Sequence, residues 1–97
     1  MKAIFIVYNH AHTEKVQYLL DKLEIRGFTM WTDVYGRGSV TGDPHMNTHT
    51  WPEQNGAVLT VVEDHTVDRV LHYVKKMDEE NQEVGIRAFV WEITGGY

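Results

Sequence analysis

The sequence predicts an α+β fold of order β-α-β-β-α-β, a four-stranded antiparallel sheet carrying two helices on one face. Three observations lead there. Four short runs rich in β-branched and aromatic residues alternate with two stretches whose apolar residues recur at helical spacing. The second and third runs follow one another with no helix between them, and right-handed crossovers then place both helices on the same side of the sheet. Finally, the chain has 97 residues, of which 42% are hydrophobic, enough for one packed core and too few for two. A single domain spanning 1–97 is the expectation.

Lys2 to Tyr8 reads as the first strand, apolar on both parities and therefore expected to be buried on both faces. Asn9 to His12 is a polar turn, with Thr13 as N-cap and Glu14 at the positive end of the first helix. Val16, Leu19, Leu20 and Leu23 form one apolar stripe at i, i+3, i+4 and i+7. The helix is expected to run to about Arg26, with Gly27 as its left-handed cap. Phe28 to Tyr35 is the second strand, and Ala57 to Val62 the third. Asp64 caps a second helix striped by Val67, Val70, Leu71, Val74 and Met77. Carboxylates oppose the dipole at a helix C-terminus, so Asp78, Glu79 and Glu80 predict a stop near Lys76. Gly85 precedes a last strand, Ile86 to Ile93. This order is the split β-α-β, or ferredoxin-like, arrangement. It leaves one sheet face uncovered, and the first, third and last strands put apolar residues on both faces. A second apolar face is unusual on a monomer, which predicts burial by oligomerisation.

The charge balance and motif content narrow the function. Nine Lys and Arg against 14 Asp and Glu give a net charge of -5, and the scattered cations argue against nucleic acid as partner. The absence of cysteine removes thiolate chemistry and disulfides and fits a reducing, cytoplasmic setting. The apolar run at the start is too short for a signal peptide, and no run reaches the roughly twenty residues of a membrane span. There is no nucleophile–base pair, HExxH, phosphate loop or paired carboxylates, Asp33 and Glu63 having no defensible pairing. A binding protein that requires no cofactor, rather than an enzyme, is the expectation.

The segment from Gly36 to Gly56 holds the residues suited to binding. At roughly twenty residues it far exceeds an ordinary hairpin connection, and segments of that length are usually functional or disordered. Arg37, between Gly36 and Gly38, is placed to hold a phosphate where glycines permit close backbone approach, or to pair with Asp33 or Asp43. His45 and His49, with Met46 between them, have the i, i+4 spacing of a transition-metal site to which Asp43 or Glu53 could add oxygen, or belong to a solvated polar loop. His10 and His12, two apart, either face the same side of an extended turn, as a ligand pair would, or are ordinary turn residues. Trp51, before Pro52, and Met46 are candidate anchors for a partner protein. Trp31 and Trp91 read as core or interface residues.

The order of elements and the long segment between strands two and three resemble the PII family of trimeric signalling proteins. So do Gly27-Phe28-Thr29-Met30, Val34-Tyr35-Gly36-Arg37-Gly38, and Val61-Val62-Glu63-Asp64 ahead of a valine-rich helix. The resemblance implies a homotrimer built on packed sheets, a long T-loop (about 36–56) that docks into a target such as a membrane transporter, and an adenine nucleotide in each intersubunit cleft. Thr29 stands where the family has an adenine-contacting threonine, and Gly36, Arg37 and Gly38 where it has a glycine-rich segment near the nucleotide. Gly85-Ile86-Arg87 aligns with a glycine–lysine step, so that Arg87 replaces a phosphate-binding lysine, a change that guanidinium chemistry tolerates. The alternative for Arg87 is an outward-facing surface charge. Three features depart from the family. Glu79, Glu80, Asn81, Gln82 and Glu83 replace a glycine- and lysine-rich turn, arginines beyond the last strand are absent, and the loop lacks the modified tyrosine. With fewer cations, the expected effector is an adenine nucleotide less charged than ATP or another ligand. A related alternative is a metal-responsive trimer that binds copper, zinc or nickel through the loop histidines.

Overall fold

A computed structural model of the chain describes residues 1–36 and 54–97. Its elements are β1 (Lys2–Asn9), α1 (Thr13–Lys22), β2 (Thr29–Val34), β3 (Asn55–Val62), α2 (Val67–Glu80) and β4 (Arg87–Glu92). The strands form one sheet in the order β2-β3-β1-β4 with every pairing antiparallel, which is the expected ferredoxin-like topology. β1 and β3, the strands that are apolar on both parities, occupy the centre, where both faces of a strand can be covered.

One face is closed by the helices. Ile4, Ile6 and Tyr8 of β1 and Val58 and Val62 of β3 pack with Val16, Leu19 and Leu20 of α1, with Leu23 just after it, and with Val70 and Val74 of α2. The whole predicted stripe of α1 therefore enters the core. In α2, Val67 and Met77 are only partly buried against it, and Leu71 is half-buried.

The element ends depart from the sequence-based expectation, and each departure has a local cause. Asn9, not Thr13, caps the first helical segment. Its side chain accepts the Ala11 amide at 3.0 Å and opens a 3₁₀ turn over His10–His12, while the Thr13 hydroxyl donates to the His10 carbonyl at 2.6 Å. α1 ends at Lys22 rather than Arg26. The Ile25 amide reaches the Leu20 carbonyl at 2.9 Å and the Glu24 amide reaches that of Asp21 at 3.0 Å, the paired bonds of a Schellman motif. Glu24, not Gly27, takes the left-handed conformation, with φ 59°. The gain is that Ile25 is buried beside Leu20.

α2 overruns its expected stop at Lys76 and continues to Glu80. Met77 packs on the core, and Asp78 pairs with Arg87 at 2.9 Å, so packing and a cation offset the unfavourable dipole. β2 loses a residue at each end of the expected Phe28–Tyr35 span and its register breaks between Trp31 and Val34. β3 begins at Asn55, so Gly56 belongs to the sheet rather than to the connecting segment. It faces Tyr8 in register, and a Cβ there would lie 2.6 Å from two carbons of the Tyr8 ring. β4 is likewise shorter than the expected Ile86–Ile93.

Candidate functional site

The sheet face away from the helices is apolar and open among the described residues. The pairing register lays its side chains out in three rows: Val61, Ala3 and Trp91; then Thr29, Leu59, Phe5 and Phe89; then Trp31, Ala57, Val7 and Arg87. Three of its aromatics are exposed, Trp31 at 42%, Phe89 at 56% and Trp91 at 48%, and Val61 is 46% exposed. Ala3 and Ala57 are buried despite lying on this face, since small side chains are shadowed by large neighbours. Trp31 and Trp91 are thus not core residues of one chain. They belong to the open face.

A depression of about 500 Å³ opens at one end of this face, lined by Val7, Trp31, Tyr35, Gly36, Arg87 and Phe89 among others. Gly36 and Arg87 are therefore brought together, with Gly85 beside them. A Cβ at Gly36 would fall 2.4 Å from the side-chain Nδ2 of Asn55, so glycine leaves room for that side chain. Gly85, at φ 61°, makes the left-handed turn that delivers Arg87 to the start of β4. Arg87 is the one charged side chain among the described residues lining the depression. Its Nη1 donates to Asp78 at 2.9 Å and to the carbonyl of Ile86 at 2.6 Å. The sequence did not single out Asp78. Its only signal was an acidic residue at a helix C-terminus, where a carboxylate needs a compensating partner.

Thr29 lies elsewhere. It sits on β2 at one edge of the sheet while Arg87 sits on β4 at the other, about 16 Å away across three strand spacings and one row along. One chain does not unite the expected cleft of Thr29, the Gly36–Gly38 segment and Arg87. A larger groove of about 690 Å³ runs between α1 and α2 on the opposite side, but none of the expected site residues lines it.

Arg37, Gly38, His45, Met46, His49 and Trp51 lie outside the described residues. His10 Nδ1 stands 3.9 Å from an Asp33 oxygen, while His12 ends the same turn. Among the described residues no group of three or more His, Asp or Glu side chains is placed to hold a metal ion. At the far end of the sheet the N-terminal amine binds Asp64 at 2.9 Å, and this hydrogen bond holds the Asp64 carboxyl below its ordinary value. Lys2 pairs with Glu92, whose hydrogen bond pushes the ammonium up. Burial pushes the Tyr8 hydroxyl up. No helix among the described residues is long and apolar enough to cross a membrane.

Comparison with known proteins places this geometry. No curated protein sequence matches the chain. Among solved structures, it resembles CPII from Thiomonas intermedia K12, a nitrogen regulatory PII-like protein, in its apo form, with 21% identity, TM-score 0.71, and coverage of 95% of this chain and 87% of that one. CPII bound to ADP, AMP and acetate superposes at TM-score 0.76 with 22% identity, covering 99% and 88% of the two chains. A candidate PII-like signaling protein from Thermus thermophilus gives TM-score 0.64 at 20% identity, covering 93% and 83%. At these identities the likenesses establish the fold. The family model for nitrogen regulatory protein P-II matches residues 1–95, and the chain therefore belongs to that family.

Proposed function

We propose that the chain, as a single domain, is a non-catalytic, PII-like regulator that works as a homotrimer in the cytoplasm. The open sheet faces of three copies pack together, and an adenine nucleotide sits in each cleft between neighbours. Thr29 of one chain takes the base. Gly36, Arg37, Gly38 and Arg87 of the next take the phosphates. The nucleotide controls what the segment between β2 and β3 engages. That segment engages a target protein through Trp51 and Met46, and a membrane transporter is the target we favour.

The observation that carries this reading is the separation of Thr29 from Arg87 across the sheet. A nucleotide spanning them within one chain would lay its polar ribose and phosphates over the apolar Leu59 and Phe5, which lie in the row of Thr29 between it and β4. A neighbouring copy covering the apolar face removes that conflict. CPII, the PII-like protein of similar fold, has been solved with ADP and AMP, which supports the choice of ligand. No observation among the described residues favours a metal ion over a nucleotide as effector.

Native mass spectrometry of the untagged chain, titrated separately with AMP, ADP, ATP and zinc, tests the reading. The expected result is a trimer that takes up nucleotide stepwise to one per chain. A monomer that ignores nucleotide overturns it, and a trimer that takes up zinc alone moves the effector to the histidines.

A further inference from the structure

Arg87 is the cation that the proposed nucleotide site depends on, yet it is already committed within the chain. A guanidinium has five N–H donors. Both of the structure's hydrogen bonds from Arg87 leave Nη1, one to the Asp78 carboxylate at 2.9 Å and one to the Ile86 carbonyl at 2.6 Å. The two hydrogens of Nη1 are thereby taken. The Nε and Nη2 hydrogens form the opposite edge of the planar group, and that edge is suited to a bidentate phosphate contact. Asp78 is two-thirds buried and Arg87 about half exposed, with side-chain accessibilities of 31% and 48%. Asp78 is the more buried partner, and Arg87 is the one that also lines the depression.

The place of Asp78 in the fold is informative. It lies in the last turn of α2, where a carboxylate opposes the helix dipole, and it tethers the residue that opens β4. Resting on the nucleotide reading above, we infer that Asp78 is a positioning and specificity-determining residue of that site. It holds the Nη1 edge of Arg87 so that the other edge is offered to phosphate, and its negative charge sets how much anionic charge the site accepts. A ligand phosphate meets Arg87 with a carboxylate on the far side of the guanidinium. The repulsion grows with ligand charge, so the pair favours nucleoside mono- and diphosphates over triphosphates.

The two roles separate by substitution. Asp78→Asn keeps an oxygen that can accept from Nη1 and removes the charge, whereas Asp78→Ala removes both. Isothermal titration of the full chain with AMP, ADP and ATP at low salt is the assay, with Arg87→Ala as reference. Asp78→Asn is expected to tighten ADP binding by about fivefold, to tighten ATP more and AMP less, and to lose that gain in 0.5 M KCl. Asp78→Ala is expected to gain less than Asp78→Asn, because Arg87 loses its tether. Neither change should matter in an Arg87→Ala background. Thermal melts guard against a folding artefact, and Asp78→Asn should melt close to the parent, since the charge it removes both pairs with Arg87 and opposes the helix dipole.

Equal gains for all three nucleotides, or no gain, overturn the role of Asp78. If Arg87→Ala weakens nucleotide binding while Asp78→Asn leaves it unchanged, the inference fails and the nucleotide site stands. If Arg87→Ala itself changes nothing, the nucleotide site fails and takes this inference with it.

Discussion

Replacing Trp91 by alanine should dismantle the proposed assembly while leaving the chain folded. Trp91 is on the face away from the helices, beside Ala3 in the register, and is 48% exposed. Taking a tryptophan side chain as about 250 Å², that leaves about 120 Å² to be covered by a neighbour, worth about 3 kcal/mol at 25 cal/mol per Å². Three copies lose about 9 kcal/mol between them, a factor of about 10⁶ in the three-body equilibrium constant. The concentration of half-assembly, which varies as the square root of that constant, should rise about a thousandfold. Sedimentation velocity over a wide concentration range reads this directly. Tyr18, 69% exposed on α1 on the helix side, supplies the control, and Tyr18→Ala should sediment like the parent. Trp91→Ala remaining assembled to the same dilution, or Tyr18→Ala dissociating equally, would refute the assignment of the open sheet as the assembly face.

Three further outcomes follow from individual residues. Gly56→Ala should cost about 1 to 3 kcal/mol through overpacking against the buried Tyr8 ring, lowering the melting temperature by roughly 5 to 15 °C, and the penalty should shrink in a Tyr8→Leu background; a cost that is the same in both backgrounds would place the conflict elsewhere. Glu24→Gly should stabilise the chain by about 1 kcal/mol, since a left-handed residue with a Cβ is strained at φ 59° and glycine is not; urea midpoints check this, and destabilisation would contradict it. For Asp64, the N-terminal amine lowers the folded-state pKa, so the pair contributes above the ordinary carboxylate range near 4 and is lost as pH falls through the lower folded value. Asp64→Asn should therefore flatten the acid limb of a plot of urea midpoint against pH, and an unchanged limb would mean that the pair contributes nothing to it.

The elements that were legible in the sequence are those written in local periodicity. Val16, Leu19, Leu20 and Leu23 declare one helix face whatever lies opposite, and the unbroken apolar runs of β1 and β3 declare central strands. Element ends were less legible because tertiary contacts decide them. Glycine propensity pointed to Gly27, but burying Ile25 beside Leu20 moved the cap to Glu24. The acidic run pointed to Lys76, but α2 continues because Met77 docks on the core and Arg87, nine residues beyond Asp78, supplies a cation. Gly56 looked like loop because spacing cannot show that the Tyr8 ring lies against it.

The candidate site divides in the same way. Gly36 and Arg87 are 51 positions apart in the sequence, and only the sheet order brings both to one depression. That order also sends Thr29 to the edge opposite Arg87, on the strand that leads into Gly36 but a row away from the depression. A β-α-β-β-α-β chain has two edge strands, β2 and β4, joined through a β3–β1 centre that is apolar on the open side. Trp31 and Arg87, at the two edges of one row, line the depression together, but Thr29 lies a row away and does not line it; an adjacent copy can bring its own Thr29 there once the centre is covered. The apolar centre that keeps Thr29 and Arg87 apart within one chain is thus the same surface that would bring them together between chains. Loss of assembly in Trp91→Ala should therefore carry loss of nucleotide binding with it, even though Trp91 lines neither half of the site.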